Sequence, residues 1–305
     1  MRAMAPGKLV LTGAYAVLQG APAIAAAVNR YALADTDRLA ATPSPEVQAA
    51  FGDRGAPDVD VAMLQNGYGR KLGLGSSAAA LVAALGASAL DRGEDIRDPK
   101  VRDGLFRFAR TAHARAQSGG SGVDVAASVY GGVIRYTLDG PDAAIETVEW
   151  PHDLVMAAFF MGQSARTSDL LARVRAARLQ ATQDMARLDA ALFSAAVAAA
   201  AAMRSGAGEF VRCARAYSEL LAGLGAMADA PIVPEACAEL AKLAESEDAA
   251  FIPSGAGGGD VAVWLGESAP SQHFEARAET LGLSSLAISI DRGGVRREAL
   301  HPGRH

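Results

Sequence analysis

The stretch that most constrains this chain is Lys71 to Ala84, KLGLGSSAAALVAA. Glycines alternate with leucines, two serines follow, and then comes an unbroken run of helix formers. Glycine tolerates φ > 0 and lets a ligand approach closely, so a Gly-rich loop can turn its backbone N–H groups onto an anion. A helix that starts directly afterwards adds its own unsatisfied N–H groups and partial positive charge. Together they would make a phosphate cradle. The spacing is neither a dinucleotide fingerprint nor a Walker A loop, because no Gly-Lys-Ser/Thr closes it. A plain strand-to-helix turn is the other reading of the same residues.

Composition narrows the classes. The chain has 305 residues, half of them hydrophobic and 21% charged, with a net charge of −5. That is enough for one large globular domain or two ordinary ones. No basic stripe with interleaved aromatics suggests nucleic acid as a partner. Cys213 and Cys237 sit in no metal or redox spacing and read as reduced thiols of the cytoplasm. The N-terminal MRAMAPGKLVL has no long apolar run before a cleavage site, so no signal peptide is expected. Ala190 to Met203 is the most membrane-like stretch. It is shorter than the ~20 residues of a span, so a buried bundle helix is expected there and no membrane contact.

Along the chain, Lys8 to Thr12, Ala23 to Val28 and Ala32 to Asp35 read as strands. Ala41 to Asp58 reads as irregular, and Val59 to Met63 as a weak strand. Asn66-Gly67 is a turn signal. Helices are expected from Ser77 to Leu90 and from Asp98 to Gln117, the second with Val101, Leu105, Phe108 and Ala112 on one face. Val133 to Leu138 and Leu154 to Met161 read as strands, with Pro141 to Pro151 a boundary region. Helical pattern then runs from near Asp169 to about Glu247, interrupted at Ser205–Gly208 and near Ala228–Pro234. A second Gly-rich loop, Ser254 to Asp260, precedes a strand Val261 to Leu265, a helix Ser271 to Leu281 and a strand Leu286 to Ile290. Segregated strands and helices indicate an α+β fold.

Three stretches, APGKLVLTGAYAVL (5–18), GLGSSAA (73–79) and SGAGGGDVAV (254–263), resemble in content and order the three motifs of the GHMP kinases, which phosphorylate small metabolites with ATP. Between them, GSGVDVAASVYGGVIRY (120–136) and GQSARTSDL (162–170) look most like phosphomevalonate kinases of the fungal type, and next like mevalonate kinases. The resemblance implies a two-domain fold. Residues 1–150 would form an N-terminal domain like the second domain of ribosomal protein S5. Residues 151–305 would form a ferredoxin-like domain with added helices. It implies transfer of a phosphoryl group from ATP, with Mg²⁺, to mevalonate 5-phosphate. Mevalonate or another small alcohol is the alternative acceptor, and a catalytically silent binding protein of the same fold is the third reading. Related enzymes are commonly dimers, which makes a homodimer an expectation here.

The resemblance also assigns roles. Asp124 matches the catalytic aspartate, and an Asp capping the following helix is the plainer reading of that residue. Lys8 matches the lysine of the first motif and should sit against Asp124 and the transferring phosphate. Gly73, Gly75, Ser76 and Ser77 should wrap the ATP phosphates, with Ser77 also holding Mg²⁺. Ser121 and Gly122, Ser164, Arg166 and Thr167, and Gly257 and Gly258 fall on the substrate side. Two departures stand out. The first motif usually reads Gly-Glu-Tyr or Gly-Glu-His, where this chain has Gly13-Ala14-Tyr15. Mevalonate kinases carry a Mg²⁺-binding glutamate eleven residues before the catalytic aspartate, where this chain has His113.

Overall fold

A computed structural model describes residues 1–117, 119–140, 142–162, 167–180 and 182–298. Its elements in chain order begin with β1 (Arg2–Thr12), β2 (Ala23–Leu39), α1 (Pro45–Phe51), β3 (Pro57–Asp60), α2 (Ser76–Asp91), α3 (Pro99–Ala116) and α4 (Val123–Tyr130). Next come β4 (Val133–Asp139), β5 (Asp142–Val148), β6 (Val155–Phe160), α5 (Thr167–Leu179), α6 (Gln183–Ala202), α7 (Ala207–Met227) and α8 (Glu235–Glu245). The last are β7 (Ala250–Pro253), β8 (Val261–Gly266), α9 (Gln272–Thr280), β9 (Ser284–Leu286) and β10 (Arg296–Arg297). Helices and sheets are segregated, as an α+β fold requires.

The chain divides into two compact units, interleaved in sequence because β1 and β2 each run through both. The first unit holds Met1–Lys8, Ala26–Gly132 and the chain from Ile290. In it β10 pairs antiparallel with β1, and β3 with β2. Helix α2 is buried almost all round, from Ser76 to Leu90, because its alanines let neighbours approach on every side. Helix α3 buries Leu105, Phe106, Ala109, Ala112 and His113. That face is turned from the expected one, and Phe108 is 49% exposed.

The second unit holds Leu9–Ala25 and Val133–Ser289. In it β4 and β5 form an antiparallel ribbon from Val133↔Val148 to Asp139↔Asp142. A four-stranded antiparallel sheet has the order β7-β8-β6-β9. Trp264, Phe251, Phe159 and Phe274 stack edge to face on it under α8 and α9. A second core joins Tyr15 and Ala16 to Leu170, Leu192, Tyr217, Leu221 and Ile232.

Several boundaries differ from the sequence reading. The segment expected to be irregular contains α1, started by Pro45 in its first turn and capped by Ser44, whose Oγ accepts from the Val47 N–H at 3.4 Å. The expected boundary region contains β5, and β7 went unread because it is only four residues, all buried. The weak strand expected to Met63 stops at Asp60 and turns into a 3₁₀ helix. The last expected strand lies earlier, at β9, where Leu286 pairs with Ala158; Ile290 instead bridges Val28. The stretch read as a short buried helix lies in α6, which runs 20 residues, long and apolar enough by length and composition to cross a membrane. It buries one side, Leu192, Ala196 and Ala199, and leaves Phe193 and Val197 about 40% exposed.

Candidate active site

Three pieces of backbone converge in the first unit. Strand β1 brings Pro6, Gly7 and Lys8 against the Gly-rich loop, and the Lys8 N–H donates to the Leu74 carbonyl at 2.8 Å. Helix α4 is pinned to the same strand, because the fully buried Ser128 hydroxyl donates to the Pro6 carbonyl at 2.7 Å. The helix bearing Asp124 is thereby fixed two residues from Lys8.

The two helix starts are alike. Both α2 and α4 begin after a left-handed glycine, Gly75 (φ 75°) and Gly122 (φ 81°), which brings no capping side chain of its own; in α4 the N–H groups of Val123 and Val125 are met instead by Ser121 and Asp124. By contrast α1, α3, α6 and α9 are capped by Ser44, Asp98, Thr182 and Ser271. The start of α2 thus leaves N–H donors and positive potential for an anion. Gly75 has a second reason to be glycine. A methyl group built on it would lie 3.0 Å from Lys8 Cγ and 3.1 Å from Lys8 Cε, so the loop closes over the lysine stem. Lys8 Nζ donates to the Gly73 carbonyl at 3.2 Å.

Ser76 is buried and Ser77 half-buried in the first turn of α2. Gln117 Nε2 donates to Ser77 Oγ at 3.1 Å and to Glu46 Oε1 at 3.1 Å. His113 Nε2 lies 3.3 Å from Ser77 Oγ and 3.5 Å from Asp124 Oδ2. Asp124 is not the cap of α4; Gly122 is. Asp124 sits in the first turn, half-buried, and its Oδ1 accepts from the Val125 N–H at 2.9 Å. Ser121 lies just before this turn, its Oγ accepting from the Val123 N–H at 3.4 Å. The Gly122 backbone passes close to the stem of Arg110. Burial raises the pKa of Glu46, but the hydrogen bond from Gln117, backbone and Ser44 donors and the His113 charge outweigh it, and the carboxyl lies below its ordinary value.

The remaining candidates belong to the second unit, outside the described residues, or both. Ser164 and Arg166 lie outside the described residues. Thr167 is exposed at the start of α5. The third motif is held by the first: Ser254 Oγ accepts from the Val10 N–H at 3.0 Å, and Tyr15 Oη donates to the Ala256 carbonyl at 2.7 Å. Ala14, standing where the family usually has glutamate, receives the Tyr217 hydroxyl on its carbonyl at 2.6 Å. The Gly258 N–H donates to the Ile232 carbonyl at 3.1 Å. At Gly257 (φ 76°) a methyl group would lie 1.9 Å from that same carbonyl oxygen. Gly257→Ala is therefore expected to lower stability by about 1–3 kcal/mol through overpacking, read as a shift in the denaturant midpoint.

Among the described residues no three His, Cys, Asp or Glu side chains cluster as metal ligands. The donors at hand, the Ser77 hydroxyl and the Asp124 carboxylate, suit Mg²⁺. That ion keeps waters and takes few protein oxygens when phosphates supply the rest. The sequence reading missed Glu46 and Gln117, and noted His113 only as an unsuitable metal ligand. Helical spacing could have found Gln117, which stands four residues beyond His113 at the C-cap of α3.

Comparison with known proteins agrees with this geometry. Residues 44–132 match the family described as GHMP kinases N terminal domain. A phosphomevalonate kinase from Streptomyces sp. (strain CL190) is 27% identical over 95% of this chain and 97% of its own length. The crystal structure of a Lin0012 protein from Listeria innocua superposes with a TM-score of 0.80 at 22% identity, covering 97% of this chain and 99% of that one. Streptococcus pneumoniae phosphomevalonate kinase, in complex with phosphomevalonate and AMPPNP, superposes with a TM-score of 0.78 at 20% identity, covering 95% and 99%. Motifs, fold and relatives point the same way: residues 44–132 match the N-terminal domain of the GHMP kinases, and the fold along nearly the whole chain is that of these solved structures.

Proposed function

We propose that this protein is a phosphomevalonate kinase, transferring the γ-phosphoryl group of ATP to mevalonate 5-phosphate and releasing mevalonate 5-diphosphate and ADP. The observation that carries the reading is the likeness to a phosphomevalonate kinase along nearly the whole of both chains. The likeness in fold to a phosphomevalonate kinase that binds phosphomevalonate and an ATP analogue supports it. We place the family's two domains at residues 1–150 and 151–305, and the enzyme in the cytoplasm as a homodimer.

Phosphoryl transfer asks a protein mainly for positioning and charge stabilisation. In this reading the backbone of Gly73 and Gly75 and the first turn of α2, with Ser76 and Ser77, cradle the ATP phosphates. Lys8, held under Gly75, meets the charge that develops on the transferring group. Asp124 orients the lysine and the acceptor. Ser77 is the protein's ligand for Mg²⁺, which when bound neutralises charge on the nucleotide phosphates. Ser121, Gly122, Ser164, Arg166, Thr167, Gly257 and Gly258 are assigned to the acceptor by their match to the family's motifs, and an arginine such as Arg166 has the chemistry for a bidentate pairing with its phosphate.

A coupled ADP-release assay with Mg-ATP tests the reading, comparing mevalonate 5-phosphate, mevalonate and no acceptor. Turnover with the phosphate ester alone is the expected result. Turnover with mevalonate and none with the ester would overturn it.

A further inference from the structure

The residues that flank Ser77 and Asp124 form a continuous row that the function above leaves unused. It starts at Glu46 in the first turn of α1, which is only 8% exposed. Its carboxylate can only accept, so it fixes which end of the Gln117 amide faces it. Gln117 Nε2 carries two hydrogens, and both are placed: one toward Glu46 Oε1, one toward Ser77 Oγ. One lone pair of the Ser77 hydroxyl is thus occupied from one side. Its O–H and its second lone pair are left for His113 and an incoming ligand. On the other side His113, 3% exposed, sets one ring nitrogen between Ser77 Oγ and Asp124 Oδ2. His113 lies in the last turn of α3 and Gln117 is its C-cap, the Gln117 N–H donating to the His113 carbonyl at 3.0 Å, so the end of one helix holds both.

We propose that His113 and Gln117, anchored by Glu46, are positioning residues that aim the Ser77 hydroxyl and the Asp124 carboxylate at a common point. The proposal rests on the kinase reading of Ser77 and Asp124. It concerns a group that does not itself touch substrate. His113 stands where mevalonate kinases carry a glutamate, and in this chain it acts through its neighbours: it holds the metal-side hydroxyl and the carboxylate in register. Partners of this kind typically change metal affinity or activity by about 10–100-fold when removed.

The test uses the full chain and three variants: His113→Leu, His113→Gln and Gln117→Leu. Gln117 is exposed at the C-cap of α3, so its variant is the one least able to disturb folding. Two readouts are taken beside the thermal midpoint. One is Mn²⁺ binding in the presence of ADP, followed by electron paramagnetic resonance, which needs no acceptor. The other is kcat and KM for ATP with mevalonate 5-phosphate. His113→Leu and Gln117→Leu are expected to weaken Mn²⁺–ADP binding about 10-fold and to lower kcat about 10–100-fold, with KM for ATP changed far less. His113→Gln, which returns an amide near the position of Nε2, is expected to recover kcat to within a few-fold of wild type. Wild-type Mn²⁺ affinity and kcat in both leucine variants would overturn the proposal. So would His113→Gln falling as far as His113→Leu with the same loss of thermal midpoint, because that is what a packing role predicts. If the wild-type protein fails to turn over mevalonate 5-phosphate, the substrate reading falls, and the Mn²⁺–ADP arm still decides the positioning role.

Discussion

Asp124→Asn is expected to lower kcat about 10²–10³-fold while KM for ATP stays within a few-fold, the pattern left when an interaction made mainly in the transition state is removed. The variant keeps the size of the side chain and an oxygen that can accept from the Val125 N–H, so α4 should start as before. What it loses is the negative charge beside His113, at the end of the row that reaches Ser77. The chemistry of the acceptor sharpens the expectation. An alcohol must give up a proton to attack phosphorus, so an alcohol kinase needs a base. The 5-phosphate of mevalonate 5-phosphate titrates near pH ~6 and is already mostly dianionic at neutral pH. It presents an oxygen with no proton to remove. Asp124 would then act by orientation and field rather than by proton abstraction. The rate should rise through the titration of the substrate phosphate and level off, and that limb should be the same in wild type and Asp124→Asn, one profile lying below the other. A limb that disappears in the variant would restore the role of base. Turnover of Asp124→Asn within a few-fold of wild type would remove Asp124 from the centre altogether.

Much of this site was legible because its residues must be what they are. A loop that folds over a lysine and opens a helix without a side-chain cap needs glycine at the turn, and Gly73-Leu74-Gly75-Ser76-Ser77 says so in five letters. Asp124 stood out only through its match to the family's Gly-x-Asp stretch; the residues alone read as a helix cap, a place that Gly122 takes. His113 was legible only as a mismatch. The expected apolar face of α3 ran through Val101, Leu105, Phe108 and Ala112, one position out of phase in its middle. The buried face runs through Leu105, Phe106, Ala109 and Ala112, and it carries His113 inward with it. Alanine is too weakly apolar to mark a face, so one exposed phenylalanine was enough to turn the reading. Glu46 was lost differently. Proline, aspartate and glycine make residues 41–58 read as irregular chain, yet Ser44 followed by Pro45 is also how a helix begins. A seven-residue helix such as α1 has too little periodicity to decide between the two. The strand β9 was misplaced because its extent is set by the register of its partner, β6, and registers are long-range facts.

Lys8→Met is expected to cost about 10²–10³-fold in kcat, the usual size of losing one preorganised charge or donor at the transferring group. Methionine keeps the unbranched stem that lies beneath Gly75 and deletes only the ammonium, so the loop should hold and ADP should still bind. The more telling variant is Lys8→Arg. It preserves the charge, and if charge alone mattered it would restore most of the rate. The structure argues otherwise. The space a methyl group would take on Gly75 is already within 3.0–3.1 Å of the lysine stem, and Nζ donates to the Gly73 carbonyl, 3.2 Å away. A planar guanidinium is wider and needs room on both sides, so it cannot sit in that sleeve without lifting the loop that cradles the phosphates. Lys8→Arg is therefore expected to remain at least 10-fold below wild type in kcat and, unlike Lys8→Met, to raise KM for ATP as well. Steady-state kinetics with both variants separates the two contributions. Recovery of kcat by arginine with an unchanged KM for ATP would mean that the sleeve yields, and that Gly75 is there for the nucleotide alone.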